Sequence, residues 1–517
     1  MSNHFPILSA CLIWPLLGAA VVMSVQGRQT MRIAAVFVAL IELVLTLAVA
    51  NQFDPADGGF QLVEDLAWIP SLNVRYQLGI DGISLWFLPL TALLTLAAIV
   101  SGWNSVQRLH NFHIALLLAL ESITIGVFTA LDLALFFLFW ELTLPPLFFL
   151  IGLWGVGAER RAAAMKYVLY MLFGGVPLLF GIVLLALDHA ERYGELSFNL
   201  QALLANGLPT EWQGTIFLLL LLGFAVKTPL LPLHTWLPTT ALEAPPQITA
   251  QLLGLKLGVY GLLRFAIPLA PVAAQEHRWL LAILGTLTMV YGALLALQQS
   301  NLRKLLAYAG VSHVGLVVVA ISSFNLQGLQ GALMQLLNFG IVAASLMLIA
   351  GLIQQRLGSN EALHLGGLAK TMPRLCALFF LFALSSIGVP GLSGFPVELL
   401  MLLGVLQAYP ALAVVALLAA ILAAAYTLNF SRRAFFGPVV QSAVECADDL
   451  RRREGLMLAV PAVLVLLLGL YPQILLNAQH RAIERWLQPL QPPSLILTAA
   501  RSAPVTQQAQ VVGSIQH

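Results

Sequence analysis

The sequence predicts an all-α polytopic membrane protein of about fourteen transmembrane helices, each of the roughly 20 apolar residues that a bilayer requires. Three observations carry that expectation. The 517 residues are 60% hydrophobic and only 9% charged, with a mean hydropathy of +0.90, whereas soluble domains carry about 25% charged residues. Apolar runs of spanning length recur along almost the whole chain. The basic residues between those runs fall in alternate loops, as expected of segments that cross a membrane in turn.

The runs, numbered here as spans 1–14, cover 6–25, 31–50, 83–103, 112–129, 131–153, 165–187, 214–232, 245–268, 278–298, 303–323, 328–354, 374–396, 398–430 and 457–477. Span 1 lacks a basic leader and reads as a spanning helix rather than a cleaved signal. Span 13 is too long for one perpendicular crossing, so it is expected to tilt or to lie partly in the interface. Basic residues follow the odd spans: Arg28 and Arg32, Arg108, Arg160 and Arg161, Arg303 and Lys304, Arg356, Lys370 and Arg374, then Arg432, Arg433 and Arg451 to Arg453. The even loops, such as "VEDLAW" and "LDHAERYGE", are neutral or acidic, and only the connection between spans 7 and 8 is nearly uncharged. The pattern places both termini on the outer face of a cell membrane.

Net charge is +2 and gives no nucleic-acid footprint. Cys11, Cys376 and Cys446 are far apart and form no CxxC pair, so neither a metal knuckle nor a redox dithiol is expected. No cofactor motif is present in the sequence. A chain of this kind works inside the bilayer or against partner subunits.

Two spans are interrupted in similar ways: span 7 by "FAVKTPLLPLHTWLP" and span 12 by "FALSSIGVPGLSGFPVELL". Proline and glycine breaks at corresponding places, five spans apart, point to two inverted-topology repeats. The ionisable residues cluster on this framework, and ionisable side chains within spans mark functional sites. They are Glu141 in span 5, Lys166 opening span 6, Lys227 at the break of span 7 with His234 beyond it, Lys256 in span 8, His313 in span 10 and Glu398 after the break of span 12. Glu121 in span 4 is a weaker member. Glu141 and Lys227, if neighbours, would form a switchable pair, because each favours the other's charged form. The broken backbone needs water or protein to satisfy it, so the break also hydrates the lysine. Structural roles compete with these readings: Lys166 and Arg264 could snorkel to the surface, His313 could be a hydrogen-bonded packing residue, Glu398 could cap a helix, and Asp81 could start a helix outside the membrane.

The stretches "DLALFFLFWELTLPPLFFLIGLWG", "FAVKTPLLPLHTWLP", "LKLGVYGLLRF", "NLRKLLAYAGVSHVGL", "GVPGLSGFPVELL" and "GLYPQILLNAQHRAIERW" together resemble the antiporter-like membrane subunits of bacterial respiratory complex I, the NADH:quinone oxidoreductases. The resemblance runs from about Asp81 through span 14. It implies spans 4–8 (112–268) and 9–13 (278–430) as the two repeats, preceded by spans 1–3 (1–111) and followed by span 14 and its end (457–490); the remaining tail (491–517) is polar in composition and is expected to be mobile. It further implies a midplane proton path through Glu141, Lys227, Lys256, His313 and Glu398, coupled to quinone reduction in partner subunits. The chain would thus be part of a translocase while holding no redox centre. Three positions depart from the family pattern. Thr239 and Ala241 replace an aspartate and a histidine after the span 7 break, and Asn338 replaces a histidine in span 11. The competing readings are the same module in an ion-pumping hydrogenase, a multisubunit cation/proton antiporter or an inorganic-carbon uptake complex, or a non-conducting spacer.

Overall fold

The computed structural model describes residues 5–439 and 441–490; the expected polar tail 491–517 lies outside the described residues. Two helices, α1 (Ile7–Ser24) and α2 (Arg28–Gln52), lead into an antiparallel hairpin of β1 (Gln61–Ile69) and β2 (Val74–Ile80), which pairs Glu64 with Leu78 and Leu66 with Tyr76. Then follow α3 (Phe87–Ser101), α4 (His110–Thr129), α5 (Leu133–Trp154), α6 (Arg160–Tyr193), α7 (Thr210–Lys227), α8 (Trp236–Glu243) and α9 (Pro246–Leu269). The second half holds α10 (Arg278–Leu297), α11 (Leu302–Ser322), α12 (Leu326–Leu357), α13 (Pro373–Ser386), α14 (Gly394–Ala408), α15 (Pro410–Phe435), α16 (Arg452–Leu470) and α17 (Gln473–Leu487).

Among the described residues, eleven helices are long and apolar enough to cross a membrane, and α3, α13 and α14 are shorter apolar helices. Burial separates an inner group from an outer ring. The apolar window of α12 is 94% buried and that of α11 83%, against 33% for α2 and α15. Ionisable side chains are tolerated in the inner group because protein or enclosed water faces them on every side. The exposed Leu169, Phe173, Val176 and Phe180 of α6 belong to the outer ring.

Four expectations need correction. The loop carrying "VEDLAW" is a β-hairpin, whose turn uses Pro70 and a left-handed Asn73. Span 13 is not one tilted crossing: Tyr409 and Pro410 divide it, giving the last part of α14 and then α15. Proline at the first turn of α15 forfeits no hydrogen bond, so the division is inexpensive there. Arg264 does not snorkel. It is buried in a π-helical turn, Leu262–Ala266, and its guanidinium grips both oxygens of Asp81, Nη1 at 2.7 Å from Oδ2. Asp81 is correspondingly not an outlying helix start. It is 4% exposed, and its Oδ1 also closes the turn before α3 by accepting from the amides of Ile83 and Ser84, both at 3.0 Å.

The hairpin packs onto the ends of α1, α4 and α5. Glu64 of β1 accepts hydrogen bonds from the amides of Leu8 (2.7 Å) and Ser9 (3.0 Å) and from the Ser9 hydroxyl, satisfying donors that the start of α1 leaves open. On the same face α17 docks through Trp486, whose Nε1 donates to Leu263 O at 2.7 Å. On the opposite face Arg303, expected in a loop, is 1% exposed and donates to Ala244 O at the end of α8.

Candidate functional site

The site is assembled from helices that stop and restart. α5 bends at Thr143, because Pro145 and Pro146 offer no amide to continue its ladder. α7 ends at Lys227, and residues 228–235 form an irregular link before α8. α9 unwinds at Leu255 and Lys256, with backbone angles of −102°/107° and −95°/64°. α13 and α14 are separated by residues 387–393, where Gly388 (φ +71°) and Gly391 (φ +90°) take left-handed conformations suited to glycine.

Lys227 Nζ donates to the carbonyl of Trp140 (3.2 Å) and to Thr143 Oγ1 (3.0 Å), and it lies 3.8 Å from the centre of the Trp140 ring. The bend of α5 therefore supplies the lysine's anchors: a carbonyl, a hydroxyl and an aromatic face. Glu141 is the residue next to Trp140, yet among the described residues no ion pair within 4 Å joins it to Lys227. Its carboxylate points instead toward Gly175 of α6, where a methyl group would overlap Oε1, and Oε1 is buried without a hydrogen-bond partner. The structure thus places the two residues on one bend without direct contact.

Lys166 reaches the carbonyl of Thr235 (2.9 Å) and Thr239 Oγ1 (3.0 Å), so it is tied to the α7–α8 link and not to the surface alone. Thr239 is one of the departures from the family pattern, and a neutral hydroxyl stands there where a carboxylate would have made an ion pair. His234 is buried in the same link, its ring 5.0 Å from that of Tyr291, with Nδ1 unpartnered. Ala241 is fully buried.

Lys256 is 4% exposed, and its Nζ lies 5.0 Å from the centre of Phe339. The His313 ring centre lies 6.3 Å from that of the same phenylalanine. Phe339 is thus a neighbour of both the second lysine and the histidine. His313 then lines two cavities. One, of about 40 Å³, also touches Gln335, Asn338 and Tyr426; the other, of about 10 Å³, also touches Glu398. A cavity needs about 10–15 Å³ of such space to hold one water, so water can connect His313 to Glu398. Glu398 faces Gly388, where a methyl group would overlap Oε2, as Gly175 faces Glu141.

Asn338 is not idle. Its Oδ1 accepts from Ser393 Oγ at 2.7 Å and its Nδ2 donates to Gln335 at 3.3 Å, while Ser393 lies 3.1 Å from Ser385 Oγ. It ties α12 to the α13–α14 break. Sequence reasoning missed Thr143, Gly175 and Phe339; the first lies two residues from Glu141, and the other two are ordinary helical residues whose roles come from what they face. Among the described residues, no cluster of three or more His, Cys, Asp or Glu side chains could hold a metal ion.

A membrane-embedded set of interrupted helices, carrying lysines, a histidine and carboxylates at the interruptions, defines a class of ion-translocating proteins. Residues 130–423 match the family model described as "NADH:quinone oxidoreductase/Mrp antiporter, TM". The chain belongs to that family. It is 38% identical to NADH-quinone oxidoreductase subunit M of Rhodobacter capsulatus, over 91% of this chain and 94% of the relative. It is 34% identical to NADH-ubiquinone oxidoreductase chain 4 of Arabidopsis thaliana, over 93% and 97%. Among solved structures it superposes on a chain of respiratory complex I from Thermus thermophilus with a TM-score of 0.86 at 31% identity, covering 94% of this chain and all of that one. A chain of the Mrp complex from Dietzia sp. DQ12-45-1b gives 0.80 at 26% identity, over 93% and 98%.

Proposed function

We propose that the chain is the proton-translocating, antiporter-like membrane subunit of an NADH:quinone oxidoreductase, seated in a bacterial cell membrane among other membrane-arm subunits. The observation that carries this reading is the succession of Lys227, Lys256, His313 and Glu398, each at a helix interruption, an aromatic contact or a water-sized cavity. In the proposed cycle a change of charge near Glu141 alters the hold on Lys227. Its proton passes to Lys256, then past Phe339 to His313, and through water to Glu398. Lys166 and His234 have secondary roles at the α7–α8 link. No cofactor enters the cycle within this chain, and the redox chemistry belongs to partners.

The fourteen-span count follows if α7 with α8, and α13 with α14, each form one interrupted crossing. Two inverted repeats over 112–268 and 278–430, flanked by 1–111 and 457–490, then agree with a local correspondence. Asp132 and Asn301 cap α5 and α11 with the same pattern of amide hydrogen bonds. Each also lies in a single β-bridge to the loop that ends the following helix, Asp132 to Asn199 and Asn301 to Glu361. Both termini are assigned to the outer face, with the hairpin. A cation/proton antiporter is the second reading, supported by the likeness to the Mrp complex.

The test is Lys227→Ala in the assembled complex in sealed vesicles, measuring electron transfer and proton uptake. The Trp140 carbonyl and Thr143 hydroxyl then lose their shared cation, and both rates are expected to fall on the order of tenfold or more. Unchanged rates in an assembled complex would make this subunit a spacer.

A further inference from the structure

The proton path described above runs from Lys227 toward Lys256 and leaves a group of buried acids on its other side unused. Glu121 of α4 is 1% exposed and Glu42 of α2 is fully buried; neither Glu121 oxygen has a hydrogen-bond partner, and Glu42 has the Cys11 thiol beside it. Neither is near a helix end where a backbone donor would account for it. An ionised carboxylate left this way carries a desolvation cost of several kcal/mol, so such a group persists where a proton or a water can reach it.

A route exists. A cavity of about 40 Å³ is lined by both Glu121 and Lys227, together with Thr91, Thr124, Thr143 and Tyr167. That volume accommodates water, and its lining offers hydroxyls to hold it. Glu121 thus lines the same cavity as Lys227, while Glu141 is the carboxyl group within electrostatic reach of the lysine. Behind it, Glu42 lies within electrostatic reach of Glu121, and Cys11 of α1 lies within reach of Glu42, Glu121 and Glu64.

The depths agree. α1 starts, and α2 and α4 end, at the hairpin face: Glu64 of β1 binds Leu8 and Ser9, α2 leads into β1, and Ala130 after α4 bridges to Leu78 of β2. At 1.5 Å per residue, Cys11 lies about 6 Å in from the start of α1, Glu121 about 12 Å from the end of α4, and Glu42 about 15 Å from the end of α2. At the mouth, Ser9 Oγ lies 2.8 Å from Tyr76 Oη and also donates to Glu64. Glu42 is no nearer that face than Glu121, so the polar groups run sideways from Lys227 through Glu121 and Glu42 and turn toward the hairpin face at Cys11.

We propose that Glu121 and Glu42 form a lateral proton branch that connects Lys227 to the hairpin face of the membrane. In it the Lys227 ammonium gives a proton through cavity water to the Glu121 carboxylate, leaving a neutral amine and a carboxylic acid. Glu121 passes the proton to Glu42, and it leaves past Cys11 toward Ser9, Tyr76 and Glu64. The ionisable groups facing this branch are Cys11 from α1, Glu42 from α2, Glu64 from β1, Tyr76 from β2, Glu141 from α5, Tyr167 from α6 and Lys227 from α7, with His113 further along α4 toward the opposite face. This inference rests on the proton-translocating reading of the chain.

The experiment compares Glu121→Gln, Glu121→Asp and Lys227→Ala in the assembled complex, reading proton uptake per electron in sealed vesicles. In parallel, the unmodified complex is treated with dicyclohexylcarbodiimide, which reacts with protonated carboxyl groups in apolar surroundings, and its peptides are read by mass spectrometry. The branch predicts that Glu121→Gln lowers proton uptake per electron on the order of tenfold, that Glu121→Asp restores part of it, and that the reagent labels Glu121 or Glu42. If Lys227→Ala stops proton uptake while Glu121→Gln matches the unmodified complex, the branch is overturned and the subunit reading stands. If Lys227→Ala has no effect, the subunit reading itself falls. If Glu121→Gln fails to assemble, the labelling decides: adducts at Glu121 or Glu42 support the branch, and their absence overturns it.

Discussion

Glu141 is positioned by what α6 lacks. Gly175 leaves the space that its carboxyl group occupies, and Gly388 does the same for Glu398. Alanine favours a helix interior over glycine by about 1 kcal/mol, so Gly175→Ala is expected to assemble normally. Its methyl group forces the Glu141 carboxyl aside, and a misplacement on the order of 1 Å at a reacting group costs up to about 100-fold in rate. We expect Gly175→Ala to lower coupled electron transfer by roughly an order of magnitude with an unchanged amount of complex on native gels. An unaltered rate would show that the carboxyl position has no influence. At this scale the sequence made the charged residues legible, because a lysine in an apolar run is visible without coordinates. It could not show that Arg264 grips Asp81 across 183 residues, since an arginine near a helix end reads equally as a snorkelling side chain.

Among the elements, the interruptions matter more than the regular helices. The break between α13 and α14 is held by the Ser393–Asn338 hydrogen bond, with Ser385 beside it. Ser393→Ala leaves the buried Asn338 oxygen without that donor, at a cost of about 1–3 kcal/mol. Earlier release of this subunit from the complex on heating is the expected result, measured by native electrophoresis after a temperature series. Unchanged release temperatures would mean that another group or a water replaces the serine. Proline and glycine marked both breaks in the sequence, but the partner of Asn338 lies 55 residues away and leaves no local signal. The hairpin was missed for a different reason. Two short strands with a Pro-Ser-Leu-Asn turn give a weak pattern beside long apolar runs, and β1 is stabilised by pairing with β2 and by its contacts with α1.

Across the whole molecule, orientation can be tested without new side chains. Cys446 is exposed in the segment after α15, among Arg432, Arg433 and Arg451 to Arg453, whereas Cys11 and Cys376 are buried. An impermeant maleimide is expected to label Cys446 only from the face opposite the hairpin, which the alternation of basic loops assigns to the cytoplasm. Labelling from the outer face alone would invert the topology, and Cys446→Ser supplies the control. By itself the sequence determined that the chain is a polytopic membrane protein, where its helices break and which side chains pay an energetic penalty for being there. Those properties follow from composition and spacing, because hydrocarbon excludes charge wherever the chain later folds. Only the tertiary structure decided which charged groups meet. It anchored Lys227 on the bend of α5, set Phe339 beside both Lys256 and His313, and placed Glu121 in the lysine's cavity. Such contacts depend on how helices distant in sequence pack, and every one of them is invisible to a local reading because no residue's neighbours in the chain specify its neighbours in space.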